Sequence, residues 1–171
     1  MREFMHDWKE ILDTNSLNVW KTVCRLVDDH HDAQDCFQDV FKTAFEISCR
    51  QNVQNMGGLL QHIAVRKSID RLRKLSANRQ TRSGLEDDFA CGRCADPAGD
   101  CEKSELAARL TEALASIPPL ESELFCLFHI SDVPYSKIAE ITGIKKNAVG
   151  VYLQRAREKL GRKLKDYAFE R

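Results

Sequence analysis

Six side chains near the C-terminus, Lys145, Lys146, Asn147, Gln154, Arg155 and Arg157, are of the types that bind nucleic acid. Lysine and arginine neutralise phosphates, while arginine, asparagine and glutamine match the donors and acceptors of base edges. A second basic group lies mid-chain, at Arg66, Lys67, Arg71, Arg73 and Lys74. Lys67, Arg71 and Lys74 follow i, i+4, i+7 spacing and predict a charged stripe on one helix face. Formal net charge is zero, yet its distribution is uneven. Residues 1–46 carry five Lys/Arg against ten Asp/Glu, whereas 50–82 and 145–165 each carry eight against one. Two separated basic blocks in a neutral chain predict two polyanion contacts. Neither block contains paired carboxylates, a phosphate-binding loop or a nucleophile beside a base, so no catalytic residue and no cofactor are expected.

Seven cysteines suggest other chemistry. Cys24, Cys36, Cys49 and Cys126 lie in helical apolar patterns, where a reduced thiol packs as a small hydrophobe. Cys91, Cys94 and Cys101 share one polar segment. A closed zinc site needs four ligands, and this segment offers three and no histidine, so the expectation is a solvated group without metal. His30-His31 lies among Asp28, Asp29 and Asp32, and reads as an exposed turn between helices. No apolar run approaches the roughly 20 residues of a membrane span. The opening MREFMHDWKEIL carries three acids and lacks the pattern of a secretion signal. The expected compartment is therefore the cytoplasm, with no membrane insertion.

The elements that must position these groups read as helical throughout. Phe4, Trp8, Ile11 and Leu12 predict a short first helix, and Leu17, Trp20, Cys24 and Val27 a second. Ala33, Phe37, Val40, Phe41, Ala44, Phe45 and Ser48 predict a third over four turns. Gly57-Gly58 is expected to break the chain before a fourth helix at about 59–76, with Leu60, Ile63, Ala64 and Leu72 inward. Residues 83–104 hold three glycines, one proline and six acids against two bases, and predict a flexible linker. Further helices are expected around Leu106, Leu110, Ala113 and Leu114, then around Leu124, Phe125, Leu127 and Phe128. Pro118-Pro119 and Pro134 mark their limits. No strand pattern is present. The chain is expected to be all-α, with small helical domains at 1–82 and 105–171 joined by the linker.

YSKIAEITGIKKNAVGVYLQRAREKL, from Tyr135 to Leu160, fits a helix-turn-helix. Its two helices cross tightly, so the first needs a small residue at the contact, supplied by Ala139. The turn needs a residue able to adopt a left-handed conformation, supplied by Gly143. Val149 would anchor the second helix, leaving its basic and amide side chains outward.

Around this motif the chain resembles region 4 of sigma factors of the extracytoplasmic-function type. The resemblance rests on Ile117-Pro118, Tyr135, Ile138-Ala139-Glu140, Gly143-Ile144, Leu153 and Arg155-Ala156-Arg157. Upstream, DAQDCFQDVFKTAF is similar to region 2.2 of that family, and LLQHIAVRKSIDRLRK to regions 2.3 and 2.4. The resemblance implies a protein that binds core RNA polymerase and directs it to promoter DNA. It further implies control by an anti-sigma factor. Asp35, Gln38 and Asp39 would meet the polymerase, with Phe37 or Phe41 as an apolar anchor, although core packing is the first expectation for either phenylalanine alone.

By the same resemblance, Arg66, Lys67, Arg71, Arg73 and Lys74 would follow the −10 element. Asn52, Gln54 and Asn55 would hold a base flipped from the non-template strand, although asparagine also favours ordinary turns. Tyr135, Lys145, Lys146, Asn147, Gln154, Arg155 and Arg157 would serve the −35 element. Two positions depart from the family pattern. Leu59 stands where tryptophan is frequent, and Gly150 where a basic residue is common.

Overall fold

Short polar side chains open the helices of the first half. Asp7 accepts hydrogen bonds from the backbone N–H of Lys9 (3.0 Å) and Glu10 (3.3 Å), capping α1 (Trp8–Leu26). Asp29 caps α2 (His30–Arg50) by accepting from Asp32 N–H at 2.9 Å. Asn55 does the same for α3 (Met56–Thr81), where Gly58 N–H donates to its Oδ1 at 2.9 Å. Each cap satisfies a donor that has no partner within the helix. α4 (Cys101–Ser116) and α5 (Pro119–His129) follow, with proline in the first turn of α5 where no N–H is needed. α6 (Tyr135–Thr142) starts after Pro134, and α7 (Lys146–Phe169) completes the chain. This computed structural model describes residues 7–81 and 101–169, and no strand occurs among them.

The all-α class is as expected, but several details differ. The two expected N-terminal helices are one. Asp13-Thr14-Asn15-Ser16 does not interrupt α1, because Asn15 Nδ2 donates to Ile11 O at 2.8 Å and the Ser16 hydroxyl donates to Leu12 O. Such back-bonding lets polar side chains sit inside a helix. Gly57-Gly58 does not break the chain either; it forms the first turn of α3. A Cβ on Gly57 would lie 2.9 Å from Asn15 Oδ1, and one on Gly58 would lie 2.7 Å from Ile141 Cδ1. Glycine here allows α3 to approach both α1 and α6.

The expected linker is shortened at its far end, since Cys101 to Ser104 belong to α4. Cys91 and Cys94 lie outside the described residues.

The two halves are not separate bodies. α3 packs against α1 and α2 of its own half, and against α4, α5 and α6 of the other. One cluster of buried side chains runs from Val19, Val23 and Val40 through Leu60 and Ile69 to Leu114, Leu124, Leu127 and Leu153. Polar ties cross the same boundary. Arg25 donates to Ile130 O at 2.7 Å, and the Thr22 and Ser131 hydroxyls lie 3.3 Å apart.

Gly161 of α7 has no such packing reason, because an added Cβ would meet nothing within 4 Å. Glycine inside a helix costs roughly 0.5–1 kcal/mol relative to alanine. Gly161→Ala should therefore raise the melting temperature by about 1–4 °C, read by circular dichroism. An unchanged or lower value would contradict this assignment.

Candidate nucleic-acid interface

The helix-turn-helix is built as its residues require. Ile138 and Val149 are fully buried, and Ala139 packs against the same core. Gly143 adopts φ 71°, the left-handed conformation that ends α6 without steric cost. The Thr142 hydroxyl donates to Ile138 O at 2.6 Å, and Ile144 N–H donates to Thr142 Oγ1 at 3.4 Å, closing the turn. Leu153, Ala156 and Leu160 continue the inner face of α7.

Its outer face carries Lys146, Asn147, Gln154 and Arg155, all exposed, with Lys145 exposed just before the helix. Arg155 lies over the Tyr152 ring at 6.0 Å, and Gln154 Nε2 donates to Glu158 Oε1 at 3.1 Å. Arg157 is placed differently. It donates to His129 Nε2 at 3.3 Å and lies over the Phe128 ring, so it turns toward α5. Burial, and then the nearby Arg157 charge, lower the His129 pKa from its ordinary value. Tyr135 stacks edge-on against Phe128 at 4.8 Å and is half-buried, which makes it a packing residue of α6.

The basic stripe of α3 faces the acids of α2. Arg71 pairs with Asp32, and Lys67 Nζ lies 3.7 Å from Asp39 Oδ2. The Asp32 carboxylate raises the Arg71 pKa further. The hydrogen bond from Asp32 N–H lowers the pKa of the exposed Asp29 carboxyl. Asp32, Asp35, Asp39, Lys67, Asp70, Arg71 and Lys74 thus line a single polar cleft. The acids expected to meet polymerase and three of the cations expected to meet DNA are therefore opposite walls of that cleft.

Asp35, Gln38 and Asp39 are exposed along α2, whereas Phe41 is half-buried and packs on Phe37 with ring centres 5.0 Å apart. Phe45, expected inward, is exposed and meets only the edge of Trp8 among the aromatic rings described.

The remaining two cations of α3 turn to the second half. Arg66 Nε lies 4.0 Å from Glu123 of α5, which also lies 3.7 Å from His62. Arg73 donates to the Ile117 carbonyl between α4 and α5. The loop Gln51–Asn55 forms a pocket whose other wall is Leu59, Glu140 and Ile141. Asn52 and Gln54 are exposed there, while the Asn55 oxygen is committed to its cap. Glu123 and Ile141 are additions that no local pattern marks, and Glu140 is marked only as part of the region 4 resemblance, because each meets α3 or its preceding loop across a long stretch of sequence.

A ligand that uses the Arg73 guanidinium group must compete with the Ile117 carbonyl, whereas Arg66 is 66% exposed beside Glu123. Glu123→Arg replaces an attraction with repulsion beside Arg66 and His62. It should loosen the two halves, raising the radius of gyration in small-angle X-ray scattering while helix content stays constant. An unchanged radius would mean that the apolar contacts alone hold them. Among the described residues, no three His, Cys, Asp or Glu side chains are grouped to hold a metal ion. No described helix is long and apolar enough to cross a membrane.

An all-helical chain with a helix-turn-helix and a second basic helix defines a class of helix-turn-helix proteins. Residues 107–160 match the family profile described as sigma-70, region 4. The chain is 27% identical over 158 residues to the ECF RNA polymerase sigma factor SigE of Mycolicibacterium smegmatis, covering 91% of this chain and 61% of that protein. It is 25% identical over 130 residues to the positive control factor of Bacillus subtilis, covering 70% and 76% respectively.

Among solved structures, it matches the sigma factor RpoE of Bartonella quintana, co-crystallised with the anti-sigma factor NepR. The TM-score is 0.59 at 21% identity, covering 94% of this chain and 98% of that one. Residues 107–160 are thus similar to sigma-70 region 4, and most of the chain is similar to a sigma factor of the extracytoplasmic-function type.

Proposed function

We propose that this chain binds core RNA polymerase in the cytoplasm and directs promoter-specific transcription initiation under the control of an anti-sigma factor. The observation that carries the reading is the exposed basic and amide face of α7, presented by a helix-turn-helix and accompanied by a second basic helix, α3. The relatives are named as a sigma factor and as a sigma factor bound to an anti-sigma factor, and this supports the same role here.

In this reading residues 1–82 serve the polymerase and the −10 element, 83–104 connect, and 105–171 serve the −35 element. Asp35, Gln38, Asp39 and Phe41 contact polymerase. Asn52 and Gln54 offer amides to an unstacked base, and Arg66, Lys67, Arg71, Arg73 and Lys74 neutralise phosphates. Lys145, Lys146, Asn147, Gln154 and Arg155 enter the −35 major groove. Arg157 and Tyr135 support that helix from behind, within reach of the flanking backbone. The chain supplies binding and positioning, and the polymerase supplies the chemistry.

Run-off transcription with core polymerase on a promoter library tests the reading. Transcripts from a defined subset are expected only when both proteins are present. Their absence, or nanomolar promoter-specific binding by the free chain, would overturn it. Asp39→Arg gives a sharper check. Asp39 is 60% exposed, so losing its contact with Lys67 should cost less than about 1 kcal/mol of stability. Affinity for core polymerase should fall at least about tenfold, because charge reversal at an interface is strongly unfavourable. Unchanged affinity, measured by fluorescence anisotropy, would remove Asp39 from the contact.

A further inference from the structure

Val151 is 49% exposed in the middle of the polar face of α7. Asn147, Val151 and Gln154 follow i, i+4, i+7 spacing, so Val151 lies on the same strip as the two amides. Its neighbours Val149 and Leu153 are fully buried, and the core of the domain is complete without it. A β-branched residue there lowers helix propensity slightly and leaves apolar surface in water.

Gly150 stands immediately before it. A Cβ at that position would meet nothing within 4 Å, so no packing within the chain excludes a side chain. Together Gly150 and Val151 form a short apolar stretch between the exposed Lys146, Asn147, Gln154 and Arg155.

We propose that Val151 determines −35 specificity by contacting the 5-methyl group of a thymine, with Gly150 allowing the helix backbone to approach the groove floor. The proposal rests on the initiation reading above and adds the base chemistry of one position. The surrounding cations select a polyanion as the occupant of this face. Within a major groove, the thymine methyl is the apolar group that distinguishes one base edge from the others. Valine has no donor or acceptor, so it discriminates by that contact alone. A short side chain reaches it only if the backbone comes close, which a bulky residue at position 150 would prevent.

Deoxyuridine differs from thymidine in the base only by lacking this methyl group, and provides the test. In a promoter selected by the run-off assay, each thymine of the −35 element is replaced in turn by deoxyuridine. Transcription at limiting protein should fall about fourfold at one or two positions, the value expected for one buried methyl group. Val151→Ser should start from the lower level and show no further loss with deoxyuridine. Val151→Thr, which keeps one methyl, should retain part of the sensitivity. Both substitutions are on an exposed helix face, and circular dichroism checks that the fold is kept.

A selected −35 element without thymine would overturn the contact. So would indifference to deoxyuridine at every position, or unchanged sensitivity in Val151→Ser. Failure to obtain any transcript would instead overturn the initiation reading, and this proposal with it.

Discussion

Lys159→Met should destabilise the folded chain by about 3 kcal/mol, because it strands a buried carboxylate. Glu121 lies in the first turn of α5 and is only 5% exposed. The Lys159 ammonium on α7 lies 2.8 Å from both of its oxygens. The Oε1 contact is a directed hydrogen bond, whereas the Oε2 contact is an ion pair without that geometry. Methionine keeps most of the length and apolar stem of lysine but removes the charge.

The loss should fall at the lower end of the range for broken buried pairs. Lys159 is a third exposed, and the α5 dipole still favours the carboxylate. Glu121→Leu combined with Lys159→Met should recover most of the stability, since the apolar pair removes the stranded charge. Urea unfolding measures both effects. A loss below about 1 kcal/mol in the single variant would show that solvent reaches Glu121. This pair also fastens α7, the helix proposed to enter the −35 groove, to α5, so the single variant should weaken promoter use as well.

Arg155→Ala should weaken use of the selected promoter by roughly 1–3 kcal/mol, or about five- to 150-fold, if Arg155 reads a guanine. The loss would then concentrate on one base pair of the −35 element. A phosphate contact predicts a different pattern: weaker binding on every sequence and a salt slope reduced by about 1. Titrating salt on matched and mismatched promoters separates the two. Arg157→Ala is the comparison. Arg157 engages His129 and Phe128, so its loss should lower stability with little change in base preference. If Arg155→Ala changes neither affinity nor preference, the outer face of α7 is not the reading surface.

Much of this was legible in local sequence, because helix periodicity, caps and turns act over a few residues. The four-turn pattern from Ala33 to Ser48 predicted α2, and Ala33, Val40, Ala44 and Ser48 are indeed buried. The left-handed turn at Gly143 and the buried Ile138 and Val149 follow from the same short-range rules. So does the outward row from Lys146 to Arg155, whose chemistry was readable from residue types alone.

Other features depended on what packs where. Phe45 and Leu106 have the right spacing to face inward, yet the neighbouring helices do not cover them, and both remain exposed. Asn52, Gln54 and Asn55 were equivalent as amides until the start of α3 committed Asn55 to its cap. The partners of Arg66 and Arg73 lie on or beside α5, far along the chain, and depend on the two halves closing over α3. Composition and periodicity thus specified the helices and the charge of their faces. Only tertiary packing decided which charges oppose one another, because burial and ion pairing depend on distances between segments that no local pattern encodes.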